Sequence, residues 1–150
     1  MSGGRRLLDV NVLLALLWPP HAHHKTAQAW FAGIGRDGWA TCPVTQLGLI
    51  RIVSRPGVSQ GRTTAARAAM LLAEIQQGAG HEFWPDNVEV RDPGFAGSLA
   101  HIQGPGRLTD RYLLALAAAN GGTLATFDRS VGAALPADSP LLAHLEVIPA

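Results

Sequence analysis

Apolar and polar positions alternate along this chain in blocks that predict strands and helices in turn. Residues 5–9 carry a short apolar run, read as a buried strand. Residues 11–18 follow as a helix, stopped by Pro19-Pro20 because proline cannot continue a helix interior. Residues 21–34 place Ala27, Trp30, Phe31 and Ile34 at helical spacing, and the glycine-containing segment 33–38 closes that helix. Residues 39–42 read as a strand. Pro43 suits a first helical turn, and Leu47, Ile50 and Val53 carry a third helix that ends at Arg55-Pro56-Gly57. A helix over 63–77, a strand over 81–84 and a short helix over 92–101, with Asp92 as cap and Pro93 at its first position, come next. The pattern continues with a helix over 109–120 capped by Thr109, a strand over 123–127, a helical piece over 130–135 and a last strand over 145–148. Strands alternating with helices predict an α/β domain, a mainly parallel sheet flanked by helices on both faces.

Polar residues interrupt this pattern at informative places. Asp9 and Asn11 sit inside the leucine-rich run 7–17. Burying a carboxylate among leucines costs several kcal/mol, on the order of 2–7 for a polar group alone, unless something pairs with it. Asp9 falls at the carboxyl end of the first strand and Asp128 just beyond the strand 123–127; Asp110 opens the helix before that strand. Ligand crevices of open α/β sheets lie beyond the carboxyl ends of the strands. Three carboxylates converging there repel one another, and a divalent cation held by oxygen ligands, Mg²⁺ or Mn²⁺, relieves that repulsion. Taken singly, each has a plainer explanation: Asp110 as a helix-start charge, Asp128 as the cap of the next helix, Asn11 as a helix cap.

The 150 residues predict a single domain, 1–150, whose 47% apolar and 15% charged composition is that of a globular chain. The apolar run from Leu7 is shorter than the roughly 20 residues a bilayer needs, and with one cysteine, Cys42, no internal disulfide can form; a cytoplasmic protein is expected. Net charge is only +1, but residues 1–80 hold Arg5, Arg6, Lys25, Arg36, Arg51, Arg55, Arg62 and Arg67 against Asp9, Asp37 and Glu74. Residues 81–150 are correspondingly acidic. A basic half suits a polyanion and an acidic half a cation, unless the charges interleave in the fold. His21, His23 and His24 lack the partner spacing of a zinc site and read as a solvated helix start. Cys42 has no base beside it and reads as buried. No glycine-rich phosphate loop or nucleophile elbow is present.

The blocks Leu7-Leu-Asp9-Val-Asn11-Val-Leu-Leu-Ala-Leu16, Thr109-Asp110-Arg-Tyr-Leu-Leu-Ala-Leu-Ala117 with Asn120-Gly121-Gly122, and Leu124-Ala-Thr126-Phe-Asp128-Arg129 together resemble the PIN-domain ribonucleases, above all the VapC toxins of toxin–antitoxin pairs. The block from Trp39 through Cys42-Pro43-Val-Thr45, Gly48, Arg51 and Ser54 to Pro56 is similar to a mycobacterial subgroup. The resemblance implies a PIN-like three-layer α/β/α fold and a metal-dependent endoribonuclease. It implies Mg²⁺ or Mn²⁺ held by Asp9 and Asp110, with Asp128 as the last acidic position, and Asn11, Thr45 and Thr126 as polar support. It also implies water attack on structured RNA, tRNA or rRNA, giving 5′-phosphate and 3′-hydroxyl ends, with Arg51 among the arginines on the RNA backbone. The partners it implies are a VapB-type antitoxin, a second copy in a homodimer, and assembly on operator DNA through the antitoxin; no membrane is expected. The resemblance also implies one more acid after the position of Thr45, expected in the similar subgroup as Glu directly after it, where this chain has Gln46, with Gly48 two residues on.

Two other readings differ in chemistry. A PIN-fold protein that binds RNA or its antitoxin without cleaving is consistent with the missing acid at Gln46. A dehalogenase-type phosphatase also begins with Asp after a first strand, but it needs a second Asp where Asn11 stands and a later Lys, whereas Lys25 is the only lysine.

Overall fold

In the computed structural model, residues 4–34, 37–59 and 63–150 are described; Gly35, Arg36 and Arg62 lie outside them. Five short strands form one parallel sheet: β1 (Arg6–Leu8), β2 (Trp39–Thr41), β3 (His81–Phe83), β4 (Thr123–Thr126) and β5 (Leu145–Val147), in the order β3-β2-β1-β4-β5. The helices are α1 (Val10–Leu17), α2 (His24–Gly33), α3 (Pro43–Val53), α4 (Pro56–Ser59), α5 (Ala65–Gln76), α6 (Pro93–Ser98), α7 (Leu108–Ala119) and α8 (Ser130–Ala133). This is the expected three-layer architecture.

Alternation along the strands builds the two faces. Leu7, Ala40 and Leu124 pack on one side with Leu113, Leu114 and Leu116 of α7. Leu8, Trp39 and Ala125 pack on the other with Val12 and Leu13 of α1, Leu49 of α3 and Leu72 of α5. Each fully buried leucine contributes roughly 1.5–3 kcal/mol from burial. Gly48 allows α3 to lie close against α1, since a Cβ there would stand 2.7 Å from Val10 Cγ2.

Several element starts differ from the sequence expectation, each for a local reason. The first helix begins at Val10 because Asp9, not Asn11, is its cap, taking the Val10 N–H at 2.8 Å. The second begins at His24, after a turn in which the His21 ring accepts the His23 N–H at 3.0 Å. α7 starts at Leu108 on a short 3₁₀ turn, Pro105–Arg107, so Thr109 lies inside the helix rather than capping it. Asp92 precedes α6 without capping it, because its side chain accepts the Glu89 N–H instead. The short α4 follows Arg55, where the sequence suggested only a stop.

The charge asymmetry is partly interleaved by the fold. Arg6 at the start of β1 meets Asp37 at 2.7 Å and Glu146 of β5 at 2.9 Å, and Arg5 meets Glu82 at 3.3 Å.

Candidate active site

β1 and β4 run side by side, with Leu8 level with Ala125. Asp9 and Thr126 therefore stand together at the carboxyl edge of the sheet, and the Asp9 N–H donates to Ala125 O at 3.0 Å. Asp9 is 9% exposed and Thr126 is fully buried. The Thr126 hydroxyl donates to Asp9 Oδ2 at 2.8 Å and accepts from Asn11 Nδ2 at 3.0 Å and from the Asp128 N–H at 3.1 Å. One donor and two acceptors exhaust that hydroxyl. Asn11 completes the frame by accepting the Phe127 N–H at 3.1 Å.

Asp110 enters from the first turn of α7. Burial first, then the charges of Asp9 and Asp128, push its carboxyl above the usual aspartate range, against the pull of Arg107. Asp9 is also pushed up, by burial first and with Asp128 adding to it, while the bonds from Thr126 and Val10 oppose the shift. Asp128 goes the other way. The Ser130 hydroxyl is the main cause that lowers it, with the Ser130 N–H and Arg107 helping against burial. The three carboxylates thus share one electrostatic neighbourhood.

Arg107 is the cation among them. Its Nη1 lies 3.6 Å from Asp110 Oδ2, 3.8 Å from Asp128 Oδ2 and 2.6 Å from Ser130 Oγ. Neither Arg107 nor Ser130 stood out in the sequence, although the three-residue spacing from Arg107 to Asp110 is the helical pair spacing.

Thr45, Gln46 and Arg51 stand on α3. Thr45 is buried at the helix start, where its hydroxyl accepts the Cys42 N–H and donates to the Cys42 carbonyl, both at 3.1 Å. Gln46 turns its amide to Thr41 Oγ at 3.0 Å; that hydroxyl also lies 2.8 Å from His81 Nε2. Arg51 is exposed in the last turn of α3. Cys42 is buried, and burial pushes its thiol up, as suits an inert cysteine. His21, His23 and His24 hold the turn before α2, with His24 Nδ1 2.6 Å from Ala15 O and His23 stacked on Phe127.

The donor set suits a hard divalent cation. Asp9 and Asp110 offer carboxylate oxygens whose proton affinity is raised by burial first and by neighbouring carboxylates second, Asp128 at Asp9 and both Asp9 and Asp128 at Asp110, and such ions prefer oxygen ligands. Among the described residues, however, no three His, Cys, Asp or Glu side chains are grouped so as to hold a metal as they stand. Asp128 is turned to Ser130, and Arg107 bridges it to Asp110.

Comparison with known proteins gives a consistent answer. The PIN domain family matches residues 6–134. The chain is 49% identical over 142 residues to Ribonuclease VapC39 of Mycobacterium tuberculosis, covering 95% of this chain and 98% of that protein. It is 42% identical over 127 residues to Ribonuclease VapC44 of the same organism, covering 85% and 88%. In fold it is similar to the crystal structure of Mycobacterium tuberculosis VapC20, a sarcin-ricin loop cleaving toxin, with a TM-score of 0.64 at 16% identity over 86% of this chain and 94% of that one.

Proposed function

Since the chain belongs to the PIN domain family and, within it, to the VapC ribonucleases, we propose that it is the toxin of a toxin–antitoxin pair and a Mg²⁺-dependent endoribonuclease acting on structured RNA, tRNA or rRNA. The observation that carries the site assignment is the shared field of Asp9, Asp110 and Asp128 at the carboxyl edge of β1 and β4. Asp9 and Asp110 would hold the cation, with Asp128, here bonded to Ser130, as the further carboxylate near them. A divalent cation bound there lowers the pKa of water and offsets the charge of the scissile phosphate.

The chain's own residues supply positioning. Thr126 and the Val10 N–H orient the Asp9 carboxylate by donating to both of its oxygens, and they offset part of the cost that burial puts on its ionised form. Asn11 ties the start of α1 to the end of β4 and so fixes the distance between Asp9 and the Asp128 loop. Arg107 lies between Asp110 and Asp128 and would be the cation at hand for a phosphate beside them.

A VapB-type antitoxin, a homodimer and a cytoplasmic location complete the proposal. Among the described residues no helix is long and apolar enough to cross a membrane. The test is to express the chain and map cleavage ends on total RNA: discrete new 5′-phosphate ends that vanish when the antitoxin is co-expressed are expected, and intact RNA contradicts the reading. The missing acid at Gln46 favours the non-cleaving alternative as the second reading. Mg²⁺ binding without turnover is its signature.

A further inference from the structure

Arg107, which reaches Asp110 and Asp128, also lines a polar cavity of about 400 Å³ together with His101, Gln103, Arg111, Ala133 and Ala134. Its floor is unusual. Arg111 is 1% exposed, and no carboxylate pairs with it among the described residues; its guanidinium donates to the carbonyls of Ser98 and Ala134, the latter at 2.7 Å. Two of five N–H donors are used in this way. Carbonyl dipoles satisfy hydrogen bonds but do not neutralise a charge, and a buried unpaired cation is costly. Every charged group on the wall is basic or can be; Asp138 lines the adjoining cavity of about 340 Å³ that shares His101 and Arg111, not this one.

We propose that this cavity is a phosphate subsite, and that it takes a backbone phosphate of the RNA next to the one being cut. The assignment rests on the ribonuclease reading above. Arg107 and Arg111 bring two guanidinium charges to the cavity wall, with N–H donors left over beyond the carbonyl and hydroxyl bonds already made, a chemistry suited to phosphate oxygens, and His101 and Gln103 add polar groups at the rim. Arg107 joins the two sites, because the same side chain that reaches Asp110 and Asp128 lines the cavity. The subsite thereby fixes the register of the strand relative to the carboxylates. The basic residues that hold RNA at the reaction centre are then Arg107 and Arg111 of the acidic half of the chain, rather than the first-half arginines.

The experiment has two arms. In the first, inorganic phosphate is titrated into the metal-free, isotope-labelled protein at matched ionic strength, and the Arg107 and Arg111 side-chain signals are followed by NMR. They shift saturably in the wild type, and the shift is lost in Gln103→Glu, an exposed position where a new carboxylate repels phosphate without disturbing the core. In the second, cleavage kinetics of Gln103→Glu and His101→Glu show KM for RNA raised about tenfold, with kcat within about twofold, as loss of uniform substrate binding requires. Unmoved arginine signals, or shifts that persist unchanged in Gln103→Glu, overturn the subsite. Phosphate binding with an unchanged KM overturns its assignment to RNA and makes it a site for free phosphate. If the wild type cuts no RNA, the ribonuclease reading fails while the phosphate titration still reports on the cavity.

Discussion

The hydroxyl of Thr126 donates to Asp9 Oδ2 across 2.8 Å, joining the ends of two adjacent strands, and both groups are buried. That bond aims a buried carboxylate and opposes the rise in its proton affinity that burial causes. Thr126→Val removes the donor while keeping the shape. It leaves Asp9 with one compensating bond fewer, so its proton affinity rises further. Mg²⁺ affinity, read by titration calorimetry, is expected to fall on the order of 10-fold, the lower end for lost outer-shell support of a metal ligand. An unchanged affinity contradicts the role of Thr126.

Asp110 carries a conflict between stability and function. Its proton affinity is raised in the fold by burial and by Asp9 and Asp128. A group with raised folded pKa stabilises the fold below its unfolded pKa, and that contribution is lost as pH rises through the folded value. Ionised Asp110 therefore destabilises the metal-free protein at neutral pH. Asp110→Asn is expected to raise the Tm of the chelator-treated protein by a few degrees at pH 7, with the gain vanishing in acid near the unfolded aspartate pKa. A Tm that falls at neutral pH argues against carboxylate repulsion.

His81 and His21 shift in the opposite sense. Burial lowers both, with Arg5 adding to it at His81 and the neighbouring histidines at His21. A lowered folded pKa means the unfolded chain takes up protons first, so stability falls as pH drops from the ordinary histidine value through the folded one. His81→Gln is expected to flatten the loss of Tm between neutral and mildly acidic pH. An unaltered slope contradicts the assignment.

Gln46 is tied to Thr41 rather than to the carboxylates. Gln46→Ala is accordingly expected to keep kcat for RNA within about threefold while costing roughly 0.5–1.5 kcal/mol of stability from the lost hydrogen bond. A hundredfold loss of kcat with an unchanged Tm assigns Gln46 to the reaction centre instead.

Much of this was legible before any coordinates. Alternating periodicity specified a parallel sheet between helical layers, and Asp9 stood out because a carboxylate inside a leucine run demands a partner. The four blocks that resemble VapC proteins pointed to the family that the comparisons show. Less legible was anything decided by side-chain direction. Thr45 is consumed locally by the start of α3, and Gln46 turns to Thr41; neither choice leaves a trace in spacing. Arg107 was overlooked because its partner Asp128 is distant in sequence, and Arg111 because its partners are backbone carbonyls. Helix starts moved by up to three residues wherever a turn found a better hydrogen bond, as at His21 and Asp9.

If Asp9 and Asp110 hold a divalent cation that drives RNA cleavage, both the ion and Asp110 are indispensable to it. The most direct measurement compares cleavage of a structured RNA by the purified wild type and Asp110→Ala, each stripped by chelator and then given Mg²⁺ or Mn²⁺. Wild-type cleavage is expected to be lost on stripping and restored by either ion, while Asp110→Ala stays inactive throughout. Cleavage by Asp110→Ala at the wild-type rate would contradict it.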